Sequence, residues 1–220
     1  MCNGGIPPEK ILTESLAGTG LVIGADGGGN ILLDLGVVPD VVIGDLDSFL
    51  SGQGEDNRKP EDRKKDAPVE NLNFELIYDP DQETNDLEKA LKLALDRGAT
   101  EVVILGATGL RLDHTLKNLS VLLQFSGRFR DILLRDATCD MRILPREFTM
   151  ETRAGQTISL FPLSGRVDGI TTEGLRYALH DESLENGVRD GSSNEATGKQ
   201  IRIGHRSGDL LLITPHHQTV

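Results

Sequence analysis

The feature that most constrains the fold is an alternation of strand-like and helix-like segments that continues to about residue 136. Short segments rich in Val and Ile end in Gly or Asp, namely GLVIGADGG, VVIGD, FELIYDP and EVVILGA. Such segments are typical of buried strands, and helical patterns lie between them. Strands that alternate with helices favour a mostly parallel sheet with helices on both faces, so the sequence predicts a Rossmann-like α/β domain.

Two of the intervening helices can be delimited from the sequence. The segment TNDLEKALKLALDRGA has the spacing of an amphipathic helix, with Thr84 as the expected N-cap and Gly98 at the expected C-terminal end. A second helix is expected from near Asp113 to Gly127. The opening MCNGGIPP supplies the proline that starts an earlier helix but almost no strand, so the chain either begins late or has a very short first strand.

The pattern changes after about Asp136. The segments DMRILP, QTISLFPL, KQIRIGHRSG and DLLLITP are short strand-like runs separated by Gly, Pro and charged turns, which is typical of an antiparallel sandwich or barrel. The sequence therefore predicts an α/β domain at residues 1–136 and a smaller all-β, sandwich or jelly-roll-like domain at residues 137–220. The polar stretch from Ser51 to Glu70 mixes both signs of charge and is expected to be a solvated surface loop.

Charge and cysteine content narrow the possible partners and the location. The chain has 23 basic and 35 acidic residues and a formal charge of −12, which disfavours binding to nucleic acid or to an anionic membrane. The two cysteines, Cys2 and Cys139, match no metal or redox spacing, and no apolar run is long enough to span a bilayer. A cytoplasmic protein is expected. A cationic small molecule, or a phosphate ligand that arrives with its metal, remains compatible with this charge.

Acidic residues follow four of the predicted strands, in ADGGG, GDLDS, DPDQETND and GATGLRLDH. Because the carboxyl ends of parallel strands meet at one edge of a sheet, these acids are expected to converge. The acids concerned are Asp45, Asp47 and Asp86, with Asp26, Asp81 and Asp113 nearby. Crowded carboxylates need a cation between them, and oxygen ligands favour Mg²⁺ bound together with substrate phosphates. The sequence therefore predicts that Asp45 and Asp47 are magnesium ligands, with a turn or helix-cap role as the alternative for either residue alone.

Two segments are also suited to phosphate binding. The glycines of ADGGG open a predicted helix and can present N–H groups to phosphate oxygens, although glycines also make ordinary tight turns. The segment is neither a P-loop nor a full G-x-G-x-x-G motif. Arg111 suits neutralisation of phosphate charge, and a surface ion pair with Asp113 is the alternative. For His114, at a helix start, a structural hydrogen bond is the alternative to a nucleotide contact.

Taken together and in this order, the segments resemble the thiamine pyrophosphokinase family, whose members transfer the pyrophosphoryl group of ATP to thiamine and release AMP. The resemblance runs through NGGIPP, ADGGGNILLDLGVVPDVVIGDLDSF, DQETNDLEKAL and GATGLRLDHTLKNL, and then through DGITTEGLRYAL and SSNE. It implies ATP and thiamine as substrates and Mg²⁺ as cofactor. It also implies a homodimer whose active sites lie between the α/β domain of one subunit and the β-domain of its partner.

The resemblance further implies roles for single residues. Those that would bind Mg²⁺ with the ATP phosphates are Asp45, Asp47 and Asp86. Those on the nucleotide side would be Asp26, Gly27, Gly28, Arg111 and His114. Those that would approach thiamine are Gln82 and Asp113, with Thr171, Tyr177, Ser192 and Ser193 from the β-domain. Asp86 and Asp113 are the two candidates for accepting the proton of the attacking hydroxyl.

Three positions depart from the family pattern. Leu110 follows Gly109 where the family usually has a second glycine before the arginine. Tyr177 stands where Trp is frequent, so it offers a smaller stacking face. Glu83 replaces a frequent Asp and keeps the charge. None of these departures removes a predicted metal ligand.

Other functions fit parts of the same pattern. A pyrophosphokinase for another alcohol, such as a hydroxymethylpterin, would share the acidic first half and differ in the second. A metal-dependent phosphohydrolase would also group aspartates at strand ends but would act with water instead of an alcohol acceptor. A non-catalytic nucleotide or thiamine sensor would be expected to lose metal ligands, whereas all three are present here.

Overall fold

The structure is a computed structural model of the chain, and it describes residues 1–51 and 73–216. The predicted surface loop at residues 51–70 falls, apart from its first residue, outside this range. The chain divides into two compact units, the first made of Met1–Phe125 and Phe129–Ala137 and the second of Ser126–Arg128 and Thr138–Val220. The functional division into residues 1–136 and 137–220 stays a prediction.

The first unit contains the alternating segments. Its described helices are α1 (Glu9–Leu16), α2 (Gly28–Asp34), α3 (Asp47–Ser51), α4 (Asp86–Asp96) and α5 (Leu112–Phe125). Its described strands are β1 (Ile23–Ala25), β2 (Val41–Gly44), β3 (Glu75–Tyr78), β4 (Glu101–Leu105) and β5 (Asp131–Arg135). The four strands predicted from the sequence are confirmed, and β5 is an additional one. No helix in the described ranges is long and apolar enough to cross a bilayer.

The strand pairings within the first unit are parallel. Strands β1, β2 and β3 form one sheet, and β4 pairs with β5. Met1 and Cys2 lie between β1 and β4, because Ala25 N–H donates to the Met1 carbonyl at 2.8 Å and Cys2 N–H donates to the Leu105 carbonyl at 2.8 Å. The sheet that contains β4 and β5 also includes antiparallel pairs and is mixed. The predicted α/β character is therefore observed, whereas the Rossmann-like, mostly parallel sheet is not confirmed.

Helix α4 shows how the local sequence sets its ends. Its N-cap is Asn85, whose side chain accepts a hydrogen bond from Glu88 N–H at 3.0 Å. The predicted N-cap, Thr84, was one residue early; its hydroxyl instead donates to the Asp81 carboxylate at 2.7 Å. Gly98 has a φ of +81° just after the helix, as predicted, because a residue without a Cβ adopts this conformation at little cost.

The second unit consists of strands, as predicted. They are β6 (Cys139–Ile143), β7 (Glu147–Glu151), β8 (Thr157–Pro162), β9 (Val167–Glu173), β10 (His180–Leu184), β11 (Gly191–Glu195), β12 (Gln200–Gly204) and β13 (Leu210–Pro215). Their pairings are antiparallel, in the orders β10-β9-β12-β7 and β11-β8-β13-β6. Ile158 and Leu160 from one array share a buried cluster with Ile201 and Ile203 from the other, which is the packing of a sandwich.

Candidate active site

Four carboxylates meet in the first unit. Oxygen atoms of Asp26, Asp45 and Asp47 all lie within 4.8 Å of one another. Asp26 follows β1, Asp45 follows β2, and Asp47 begins α3. The fourth, Asp86, begins α4, and a Cβ added to Gly44 would lie 2.8 Å from the Asp26 Cβ and 3.1 Å from the Asp86 Oδ1. Glycine at position 44 thus allows the two acids to approach each other, as the converging strand ends predicted.

The GDLDS segment holds its two acids apart from the core by burying the residue between them. Leu46 is buried with Val42 and Phe49, and it adopts a φ of +62°, which is uncommon for a residue with a side chain. Strain of this kind persists only where the surrounding packing fixes it. Because Leu46 points into the apolar core, Asp45 and Asp47 on either side of it both lie outside that core, in the carboxylate cluster.

The electrostatics of the cluster favour a bound cation. Burial, followed by the proximity of Asp26, raises the pKa of Asp86 to about 6, although Lys89 opposes the shift. Burial also raises the pKa of Asp26, against the effect of its hydrogen bonds. Carboxyls with raised pKa values are stabilised when a cation offsets their mutual repulsion. Mg²⁺ prefers oxygen ligands and is usually bound by one or two carboxylates together with substrate phosphates, so these residues fit that ion.

Asp26 has a second, structural contact. Its carboxylate accepts hydrogen bonds from Ser48 N–H at 3.3 Å and from Phe49 N–H at 3.1 Å, and its side chain is buried. These amides belong to the start of α3, where N–H groups have no partner within the helix. Asp26 therefore satisfies amides at the start of α3, and its role toward the nucleotide stays a prediction.

Two polar side chains adjoin the cluster. Gln82 donates from Nε2 to Asp45 Oδ2 at 3.0 Å. The Nζ of Lys89 lies 3.7 Å from Asp86 Oδ1 and donates to the Asp79 carbonyl at 2.9 Å. Sequence reasoning missed Lys89, and the only signal for it was its position three residues after Asp86 on one helix. These side chains line a cavity of about 250 Å³, whereas a larger cavity of about 710 Å³ in the same unit is lined by none of the predicted site residues.

The glycines of ADGGG are packed against the start of the chain. A Cβ on Gly27 would lie 2.4 Å from the Asn3 side-chain nitrogen, and one on Gly28 would lie 2.1 Å from the Met1 carbonyl oxygen. Both glycines are therefore required for this close approach, whatever they do for a ligand. Their predicted contact with nucleotide phosphates stays a prediction.

The predicted ion pair between Arg111 and Asp113 is present. Arg111 donates from Nε to Asp113 Oδ1 at 3.1 Å and from a terminal nitrogen to Oδ2 at 2.6 Å. The guanidinium holds the pKa of Asp113 below its usual range. Both side chains are exposed, as is His114 beside them. Leu110 precedes this pair with 85% of its surface exposed and a φ of +52°.

In the second unit, Asn194 joins two of the predicted segments. Its side chain accepts a hydrogen bond from Tyr177 N–H at 3.0 Å and donates to the Tyr177 carbonyl at 2.8 Å. Ser192 and Ser193 directly precede Asn194 in β11 and are exposed, and the ring of Tyr177 is exposed as well. Thr171 lies on β9, where its hydroxyl accepts from Asp181 N–H at 3.2 Å. Asn194 lies within the SSNE segment, but the sequence alone did not predict a role for it.

Two family models match the chain. The model described as the catalytic domain of thiamin pyrophosphokinase matches residues 12–134, and the one described as its vitamin B1 binding domain matches residues 144–209. The chain belongs to the thiamine pyrophosphokinase family. The four carboxylates lie in the range matched by the family's catalytic domain, and Tyr177 and Asn194 lie in the range matched by its vitamin B1 binding domain.

Curated members of the thiamine pyrophosphokinase family are similar along most of this chain. Thiamine pyrophosphokinase 1 of Oryza sativa subsp. japonica is 31% identical over 185 residues, which cover 79% of this chain and 64% of the rice protein. Thiamine pyrophosphokinase of Bacillus subtilis is 29% identical over 195 residues, which cover 88% of this chain and 86% of the relative. The chain thus spans slightly less than two thirds of the rice protein and most of the bacterial one.

Solved structures of thiamine pyrophosphokinases have the same fold. The crystal structure from Bacillus subtilis matches with a TM-score of 0.75 and 27% identity, over 99% of this chain and 98% of that one. The crystal structure from Geobacillus thermodenitrificans matches with a TM-score of 0.77 and 25% identity, over 99% and 96%. Membership of the thiamine pyrophosphokinase family makes the chain an enzyme. The pterin pyrophosphokinase, phosphohydrolase and sensor alternatives find no support in these comparisons.

Proposed function

We propose that the chain transfers the pyrophosphoryl group of MgATP to the hydroxyethyl group of thiamine, giving thiamine diphosphate and AMP. The observation that carries the proposal is the cluster of Asp26, Asp45, Asp47 and Asp86 in the range matched by the family's catalytic domain. Pyrophosphoryl transfer needs positioning and charge neutralisation more than covalent chemistry from the protein, and an acidic site that takes a cation serves both needs.

The magnesium ligands in this proposal are Asp45, Asp47 and Asp86. Asp26 is already engaged by the amides of Ser48 and Phe49, so it acts as a buried neighbour that adds negative charge and holds α3 in place. When bound, Mg²⁺ offsets the repulsion between these carboxylates and the triphosphate. Gln82 keeps Asp45 oriented through the hydrogen bond that it donates.

The nucleotide side is assigned to Arg111, with Gly27, Gly28 and His114. Arg111 presents a planar fork of donors that matches phosphate oxygens as well as it matches Asp113. Because both members of the pair are exposed, exchange of the carboxylate for a phosphate costs little. Asp86 and Asp113 are the two candidates for accepting the proton of the attacking hydroxyl, and Arg111 lowers the pKa of Asp113.

The thiamine side is assigned to Gln82, Asp113, Thr171, Tyr177, Ser192 and Ser193. Thiamine carries a cationic thiazolium, and an exposed aromatic face attracts a cation. Tyr177 offers such a face, and Asn194 holds its backbone by two hydrogen bonds. The net charge of −12 also favours a cationic substrate.

The proposal also covers the oligomeric state of the enzyme and its location in the cell. We assign a homodimer whose active sites combine the α/β domain of one subunit, residues 1–136, with the β-domain of the partner, residues 137–220. The first domain would bind the nucleotide at the strand ends of a Rossmann-like sheet. A cytoplasmic location suits a chain with only two cysteines.

A product assay tests the reaction. Purified protein is incubated with ATP, Mg²⁺ and thiamine, and nucleotides and thiamine esters are separated by chromatography. We expect AMP and thiamine diphosphate in equal amounts, and neither product when Mg²⁺ or thiamine is left out. AMP without a thiamine ester would instead indicate hydrolysis, and formation of ADP with thiamine monophosphate would contradict pyrophosphoryl transfer.

A further inference from the structure

Lys89 is a buried lysine in an acidic surrounding. Its side chain is only 2% exposed, on the second turn of α4. One of its three donors is used by the Asp79 carbonyl at 2.9 Å, which joins α4 to the end of β3. Its Nζ lies 3.7 Å from Asp86 Oδ1. Lysine is rarely buried unless it is paired, so its partner here is the acid cluster.

The ammonium acts on more than one member of this site. Its Nζ lies 3.7 Å from Asp86 Oδ1, and its side chain lines the same cavity as Asp45 and Asp81. The carbonyl of Asp79 prevents the flexible lysine stem from turning toward solvent. Lys89 is thus a fixed positive charge beside carboxylates that are themselves held by backbone and side-chain contacts.

A fixed ammonium has a direct consequence for a second cation. Like charges a few ångströms apart repel, so Lys89 opposes the binding of a divalent ion to the same carboxylates. Mg²⁺ also keeps most of its water unless several oxygen ligands are offered together, and substrate phosphates are the usual additional ligands. The triphosphate brings both the missing oxygens and the negative charge that outweighs the ammonium.

We propose that Lys89 is a positioning residue that holds Asp86 and keeps the affinity of the free acid cluster for Mg²⁺ low, so that the ion binds productively only together with nucleotide phosphates. The inference rests on the proposed function, because it assumes a site that uses MgATP. The role that it assigns to Lys89 is to position Asp86 and to supply charge, not to contact substrate.

The experiment is a calorimetric titration of MgCl₂ into the nucleotide-free full chain at constant ionic strength. Lys89→Met removes the charge and keeps the length of the side chain. We expect Mg²⁺ to bind this variant about tenfold more tightly than the wild type. The matched control is Lys92→Met, which removes the same charge from the same helix, but from a half-exposed side chain that pairs with Glu88 at 3.0 Å. We expect its Mg²⁺ affinity to be unchanged.

Each outcome decides the proposal. An affinity of Lys89→Met for Mg²⁺ that equals or falls below that of the wild type overturns it. Lys89→Gln, which keeps an amide donor, is titrated in parallel and should also bind more tightly. Circular dichroism shows whether the variants fold. Folding of both variants only when Mg²⁺ is present supports the proposal, because the ion then replaces the ammonium, and failure to fold under both conditions overturns it.

The result is separable from the proposed function. The titration needs neither thiamine nor turnover, so a wild-type chain that forms no thiamine diphosphate can still show the tightened Mg²⁺ binding in Lys89→Met. In an active enzyme, a second readout is the free Mg²⁺ concentration that gives half-maximal rate at saturating ATP. We expect this concentration to fall in Lys89→Met together with kcat, because Asp86 loses its fixed position, and to stay unchanged in Lys92→Met.

Discussion

Asp26 and Asp47 belong to the same carboxylate cluster but differ in burial and in their hydrogen bonds. Asp47 is exposed at the start of α3, and Asp26 is buried beneath it with two amides of that helix. We expect Asp47→Asn to abolish turnover, because it removes a metal ligand, and to change the free energy of unfolding by less than about 0.5 kcal/mol. AMP formation and urea unfolding measure the two effects separately.

Asp26→Ala should behave differently from its matched control, Asp47→Ala. Removing Asp26 leaves the N–H groups of Ser48 and Phe49 without their acceptor, and a buried donor left unpaired costs about 1–3 kcal/mol. Relief of repulsion with Asp86 offsets part of this cost. We expect Asp26→Ala to unfold at lower urea than Asp47→Ala. Equal urea midpoints would show that the cap contacts contribute nothing.

His205, in the second unit, makes the free energy of unfolding depend on pH. Burial and Arg146 lower the pKa of this histidine from its usual 6.5, against the effects of the Gly208 backbone, Asp209 and Glu147. The unfolded chain therefore takes up the proton first as the pH falls, so protonation below about pH 6.5 favours unfolding. We expect the free energy of unfolding to decrease between pH 7 and 5.5 by less in His205→Gln than in the wild type. If the free energy of unfolding decreased equally in both proteins, groups other than His205 would be responsible for the decrease.

At the scale of elements, Asn85 connects three parts of the first unit. It caps α4 by accepting from Glu88 N–H, and it donates to Asn118 of α5 at 2.9 Å. Asn118 in turn donates to the Ala107 carbonyl at 2.8 Å. We expect Asn85→Ala to cost about 1–2 kcal/mol, which is the usual range for loss of an N-cap. Urea unfolding measures this cost, with exposed Asn73→Ala as the control.

The same substitution should affect catalysis, because Asp86 is the next residue. A frayed first turn of α4 displaces Asp86, so we expect turnover to fall by more than the loss of folded protein explains. Turnover per folded molecule, at a temperature where the variant is fully folded, separates the two effects. A variant that is destabilised but fully active would show that the cap supports the helix alone.

How far the sequence predicts these elements depends on hydrophobic pattern. Strands β1 to β4 and helices α4 and α5 have clear apolar signals and were predicted. Strands β10 and β11, HDESL and GSSNE, have almost none, because their positions are set by cross-strand partners that only the fold brings together. The same limit applies to the site. Strand-end acids were predicted to converge, whereas Lys89 could not be, since its burial depends on the Asp79 carbonyl ten residues away.

At the scale of the whole molecule, the proposed site draws on both matched ranges of the chain. Tyr177 is the exposed aromatic candidate for the thiazolium, and its backbone is fixed by Asn194. We expect Tyr177→Ala to raise the KM for thiamine by about tenfold, in line with the loss of a cation–π contact and the covered ring surface, and to leave kcat nearly unchanged. Tyr177→Phe is the control and should keep a low KM. An unchanged KM in Tyr177→Ala would remove the ring from the site.

The proposed homodimer leads to a sharper test by mixing two defective variants. If each active site combines Asp47 of one subunit with Tyr177 of the other, Asp47→Asn and Tyr177→Ala homodimers are both poor enzymes at low thiamine. A mixed dimer then has one site with both defects and one with neither. After random subunit exchange, about a quarter of all sites should be intact, and activity should rise above that of either variant alone. Light scattering must report a dimer in each sample. A site built within one chain predicts no gain on mixing, because every mixed dimer would still carry one defect in each of its two sites.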